Sequence, residues 1–160
     1  MRSSVPPGLS PGSRLELYED PYVTVLPEPD GTLVRVIRTE IPHPSPQILE
    51  QSFLKVSNAL DRFGRSGHGL LVDVRRAVGR NEPEYEAPLR RARLRNDAGF
   101  LRIAVLLRTS VGMLQMMRLS EEDGILRLIT TSEEHAVKYL RTGVATEDVP
   151  ASLGKPRSAR

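Results

Sequence analysis

Two short, almost wholly apolar runs constrain this chain more than any other feature: Leu70-Leu71-Val72-Asp73-Val74 and Leu101-Arg102-Ile103-Ala104-Val105-Leu106-Leu107. Neither alternates polar with apolar residues as a half-solvated strand does, so each reads as a strand covered on both faces. Strands of that kind pair in parallel and need crossover helices, and segments with helical spacing flank them. The clearest places Leu49, Phe53, Val56, Leu60 and Phe63 on one stripe. Ser45 stands ready as its N-cap, Pro46 as its first helical residue and Gly64 as its stop.

The remaining segments complete an alternating order. Tyr22-Val23-Thr24-Val25-Leu26 and Thr32-Leu33-Val34-Arg35-Val36-Ile37-Arg38 are β-branched runs joined by Pro27-Glu28-Pro29-Asp30-Gly31, a hairpin turn signal. Leu33, Arg35 and Ile37 fall on one side of the second run and Val34, Val36 and Arg38 on the other, so both sides are mixed. Asn81 and Glu84 have the spacing of a capping box, Pro83 suits a helix start, and Pro88 delays that helix to about Tyr85 or kinks it. A short helix over 113–119, a turn at 121–124 and a strand over 125–129 follow. The last helix runs from a cap at Thr131 or Ser132 through Ala136, Val137 and Leu140 to a stop at Gly143. The expected fold is α/β: a mixed β-sheet with an opening β-hairpin and helices packed against it, in the order ββαβαβαβα. Residues 1–19 read as a mobile arm, 20–143 as the domain and 144–160 as a flexible tail, because the ends are too polar and Pro-rich to offset their ordering entropy.

Composition narrows the chemistry. The chain lacks Cys, which removes disulfides, thiolate metal sites and Cys nucleophiles and suits a reducing compartment, so a cytoplasmic location is expected. No apolar stretch reaches the length of a signal sequence or a membrane span, so membrane insertion is not expected. A net charge of +3 is too mild to call for nucleic acid, and the few aromatics are not interleaved with the basic residues as base-stacking needs. Charge is uneven locally. From Arg75 to Arg102, eight arginines stand against four carboxylates. Arg75, Arg76, Arg80, Asn81, Glu82, Glu84, Arg90 and Arg91 are therefore the candidate partner-binding residues, the guanidinium forks matching acidic protein surface or a phosphate-bearing ligand. The competing reading is a solvated helix face whose Arg stems cover apolar surface.

Nothing assembles a catalytic set. The loop after residue 74 contains no Ser, Cys, His or Lys and no Gly-rich phosphate cradle, so no enzyme, cofactor or metal is expected. His43, His68 and His135 lie far apart, none in a ligand pair of helical spacing. His43, between prolines, reads as a loop residue; His68, between glycines, lies where backbone approaches a ligand or simply turns. Asp73 orients a ligand or satisfies the turn after it. His68 with Asp73 is the least implausible acid–base pair were the chain an enzyme. Met113, Met116 and Met117 share helical spacing with Leu119 and read as core filling, the alternative being an adaptable binding surface.

Gly69-Leu70-Leu71-Val72-Asp73-Val74-Arg75, Asn96-Asp97-Ala98-Gly99-Phe100-Leu101-Arg102-Ile103-Ala104-Val105 and Leu128-Ile129-Thr130-Thr131-Ser132-Glu133-Glu134-His135-Ala136-Val137-Lys138-Tyr139-Leu140, together with the opening hairpin, resemble the SpoIIAA-like branch of the STAS superfamily over roughly residues 20–143. The resemblance implies a non-enzymatic regulatory or scaffolding domain acting by protein–protein interaction in a bacterial cell, with homodimerisation open. The alternative it implies is a STAS- or CRAL-TRIO-like domain binding a small molecule or lipid. Anti-sigma antagonists carry a phosphorylatable Ser at the helix start after the third strand. This chain has Asn81, Glu82 and Pro83 there, so that switch does not carry over. Glu82 and Glu84 supply permanent negative charge at that place, which is also ordinary helix-start chemistry.

Overall fold

The structure, a computed structural model, describes residues 15–145 and the backbone of 151–154. It is an α/β fold in which one mixed sheet carries seven strands in chain order: β1 (Tyr18–Glu19), β2 (Val23–Pro27), β3 (Leu33–Arg38), β4 (Gly69–Asp73), β5 (Arg102–Leu106), β6 (Arg127–Thr130) and β7 (Ala151–Gly154). The β3, β4, β5 and β6 strands pair in parallel, while β1 and β2 open the sheet and β7 closes it by antiparallel pairing. The hairpin turns at Gly31, whose φ of +74° is open to glycine at no steric cost.

Four helices follow: α1 (Pro46–Phe63), α2 (Glu86–Asp97), α3 (Ser110–Asp123) and α4 (Glu133–Thr142). The start of α1 is as expected, with the Ser45 hydroxyl accepting from the Ile48 N–H at 3.2 Å. The start of α2 differs. Pro83 holds Glu82 in extended backbone, so Glu82 rather than Asn81 takes the cap position and no capping box forms. A single 3-10 turn, Pro83–Tyr85, then leads into α2, which places Pro88 in the first turn, where its missing N–H has no intrahelical partner to lose. The α3 helix is longer than its apolar spacing suggests. Thr109 caps it, and Glu121, Glu122 and Asp123, expected as a turn, are its last residues before Gly124 at φ +70°. Strand β6 accordingly begins at Arg127 rather than at residue 125. Ser132, not Thr131, caps α4, and Gly143 ends it. The edge strands β1 and β7 fall in segments the sequence assigns to the arm and tail; of those segments, 1–14, 146–150 and 155–160 lie outside the described residues.

The sheet faces are covered unequally. Val23, Val25, Val34, Val36, Leu70 and Ile103 pack under Leu49, Phe53, Val56, Ala59 and Leu60 of α1 and Ala92 of α2. On the opposite face, Leu33, Leu71, Ala104 and Leu128 meet Ala136, Tyr139 and Leu140 of α4. Arg127, next to Leu128 and hence on the α1–α2 face, is 1% exposed and reaches Asp97 of α2 and Asp123 and Ser120 of α3. Helices α1, α2 and α3 therefore share one face, and α4 has the other.

Candidate functional site

Every crossover steps one strand along the sheet in the same direction, so the parallel strands have no point at which loops diverge to either side. Such a reversal is what opens a ligand crevice in most open α/β sheets. The C-terminal edge here is instead built up by two long loops, 39–45 after β3 and 74–82 after β4, and by the β1–β2 turn, which the antiparallel pairing of Val23 with Arg38 brings to the same edge.

The candidate arginines act mainly as braces. Asp73 ends β4 in a buried position and accepts from the Arg75 backbone N–H at 3.1 Å and from its guanidinium at 3.0 and 2.8 Å. The aspartate satisfies its own turn, and Arg75 goes on to Glu133 at 3.0 Å. Arg76 pairs with Glu40 and so ties the two loops together. Arg80 donates to the His43 carbonyl, pairs with Glu82 at 3.0 Å and lies 4.3 Å over the Tyr85 ring, while the Tyr85 hydroxyl donates to the same carbonyl at 3.3 Å. Asn81 and Glu84 are exposed. Arg90 and Arg91 diverge from this loop along α2, Arg90 lying 3.6 Å from Asp123 and Arg91 donating to Glu50 at 3.1 Å. Five of the eight candidates thus share the loop, Glu84 follows in the 3-10 turn, and Arg90 and Arg91 flank it on α2. The local excess of positive charge is met by the adjacent Asp73 and by Glu40, Glu50, Asp123 and Glu133, acids far away in the sequence.

Two large apolar side chains stand out from the braced loops: Ile41 is 47% exposed and Val78 is 59% exposed. The same edge carries a polar cluster that sequence reasoning did not assemble. His43 is 1% exposed, its ring 4.5 Å from Tyr22 and 5.4 Å from Phe53. Arg38, at the end of β3, lies with its guanidinium 5.3 Å from the centre of the Phe53 ring. Asp20 accepts from the Tyr18 hydroxyl, the Ser52 hydroxyl and the Tyr22 and Val23 N–H groups, at 2.6 to 2.9 Å. Burial alone raises its carboxyl pKa, and those four hydrogen bonds together hold it below the usual range. Burial, reinforced by the charges of Arg38 and Arg80 against that of Asp20, pushes the His43 imidazole down to about 4, so it is neutral near pH 7. The only sequence signal for this cluster was a histidine between prolines, because its members come from four separate segments.

His68 and Asp73 do not meet. His68 precedes β4 and Asp73 ends it, so the length of a five-residue strand, roughly 16 Å, separates them. The His68 ring contacts the Gly64 carbonyl through Nδ1 at 2.6 Å and packs 4.9 Å from Phe63. This is a turn-stabilising role, and His68 and Asp73 form no acid–base pair with each other. Met113 is buried, and Met116 and Met117 are half-buried, in keeping with core filling. Among the described residues no three His, Asp or Glu side chains gather as a metal site, and no helix is long and apolar enough to cross a membrane. No family model, curated protein or solved structure matches the chain.

Proposed function

We propose that this chain is a non-catalytic, STAS-like regulatory or scaffolding module of the bacterial cytoplasm that works by docking another protein on the 39–45 and 74–82 loops. One observation carries the reading: the two loops are cross-braced by Arg76–Glu40 and by the Arg80 and Tyr85 bonds to the His43 carbonyl, while Ile41 and Val78 are left in solvent. A braced surface loses little conformational freedom on binding, and apolar side chains ringed by polar ones form the usual centre of an interface. Arg90 and Arg91 belong to the rim, where charge governs the rate of approach more than the lifetime of the complex.

The lipid-binding alternative has less support. The depression between α4 and the hairpin is lined by Glu28, Arg35, Glu133, Glu134, Lys138 and Arg141, and an apolar ligand there would desolvate those charges.

The test is cross-linked capture from the host, comparing the wild type with Ile41→Asp/Val78→Asp and with Arg90→Ala/Arg91→Ala. The first variant is expected to lose the captured protein, and the second to retain it with a lower yield that salt lowers no further. A captured protein retained at full yield by Ile41→Asp/Val78→Asp, with that variant folded, overturns the proposal.

A further inference from the structure

The structure assigns a second role to the same edge: we propose that Arg38 receives a phosphate-type oxyanion, free phosphate or a phosphate monoester, between the β1–β2 turn and the 39–45 loop. The argument begins from charge matching. Arg35, Arg75, Arg76, Arg80, Arg91 and Arg127 each contact a carboxylate. Arg38 contacts none among the described residues, although burial already lowers its pKa. Its Nε is buried without a partner, yet the residue as a whole remains partly open to solvent. The nearest acid, Asp20, is spent: four donors occupy its oxygens, so it contributes a field and no contact.

Two further nitrogens of the 39–45 and 74–82 loops are in the same condition among the described residues. His43 Nε2 and Arg80 Nε are buried and lack partners. Three segments thus present unsatisfied nitrogens, and among them only the Arg38 guanidinium makes no carboxylate contact, Arg80 being paired with Glu82 and His43 neutral. A buried cation without a counter-ion is strongly unfavourable, and sites that keep one are those where a ligand supplies the missing charge. A guanidinium beside an imidazole suits a tetrahedral oxyanion, which accepts from several directions. Residues 1–14 contain no Asp or Glu, so that segment has no counter-charge to offer. The only acids of the sequence outside the described residues are Glu147 and Asp148.

This inference stands apart from the docking reading, since a small anion binds or fails to bind without any protein present. The test follows the arginine Nε–Hε and the 39–45 backbone resonances by two-dimensional NMR, titrating inorganic phosphate and glycerol phosphate at constant ionic strength. A saturable shift at Arg38 is expected, with affinity lowered about tenfold or more in Arg38→Gln and unchanged in Arg118→Gln, an exposed arginine of α3. Should Arg38→Gln not fold, Arg38→Lys decides the matter, because it keeps the charge and loses the fork. Tighter binding of glycerol phosphate identifies a monoester as the ligand, and equal binding identifies free phosphate. Absence of a saturable shift overturns the proposal, as does wild-type affinity in Arg38→Gln. A response that emerges only in Glu147→Gln/Asp148→Asn also overturns it, since the counter-charge would then be internal.

Discussion

At the scale of single residues, the most consequential feature is the burial of groups that prefer water. His43 is the titratable case, faced by Arg38 from β3, Arg80 from the 74–82 loop and Asp20 from the β1–β2 turn, with Tyr22 and Phe53 against its ring. Its pKa is about 6.5 in the unfolded chain and about 4 when folded, so the unfolded state binds more protons between those values. Stability is therefore expected to be at its full value above about pH 6.5 and to decline as pH falls towards about 4, with the decline flattened in His43→Gln; denaturant unfolding at several pH values measures it. Arg127 is the second case. Burial pushes the Asp97 carboxyl up despite the neighbouring guanidinium, whereas hydrogen bonds from Arg93 and Arg127 outweigh burial at Asp123 and hold it down. Arg127→Met strands the Asp97 carboxylate, while Asp123 keeps Arg93, and is expected to cost about 3–5 kcal/mol in unfolding free energy, with part recovered in Arg127→Met/Asp97→Asn. A fully stable Arg127→Met protein would show that the cluster is hydrated.

At the scale of elements, local rules and long-range contacts divide the work. Helix starts at Ser45 and Ser132 were legible because a hydroxyl followed by a free N–H three residues on is a local device. Ser45→Ala is expected to cost about 1 kcal/mol, read as a lower denaturation midpoint at unchanged slope. Docking of α4 depends on a close approach that no local pattern announces. A Cβ on Gly69 would stand 3.0 Å from Leu140 Cβ, so Gly69→Ala makes Leu140, and α4 with it, give way by a few tenths of an ångström. A loss of about 1–3 kcal/mol is expected, with hydrogen exchange quickened first in α4. The end of α3 was misread because Glu121, Glu122 and Asp123 are as compatible with a helix as with a turn, and only Gly124 at positive φ terminates it. Strands β1 and β7 left no apolar rhythm to detect. A strand of two or four residues at a sheet edge is held by backbone pairing with its neighbour, which any sequence can supply.

At the scale of the whole molecule, charge that is uneven along the chain becomes nearly balanced in space. The arginines of 75–91 find acids on β3–α1, α1, α3 and α4, and exposed pairs of this kind contribute at most about 1 kcal/mol each. Arg90→Ala/Arg91→Ala is therefore expected to leave the thermal midpoint nearly unchanged, and a large drop would mean that these pairs hold α2 in place. From the sequence alone come the α/β class, the opening hairpin, the four helices and the parallel strands, because period, caps and turns act over a few residues, where side-chain spacing is itself the physics. Tertiary structure alone decided that His43 is buried, that Asp20 is saturated, that Arg38 contacts no carboxylate among the described residues and that His68 and Asp73 stand at opposite ends of one strand. Each of those facts depends on which distant segments share an edge of the sheet, and electrostatic partners are selected by distance in space, to which the order of residues along the chain is indifferent.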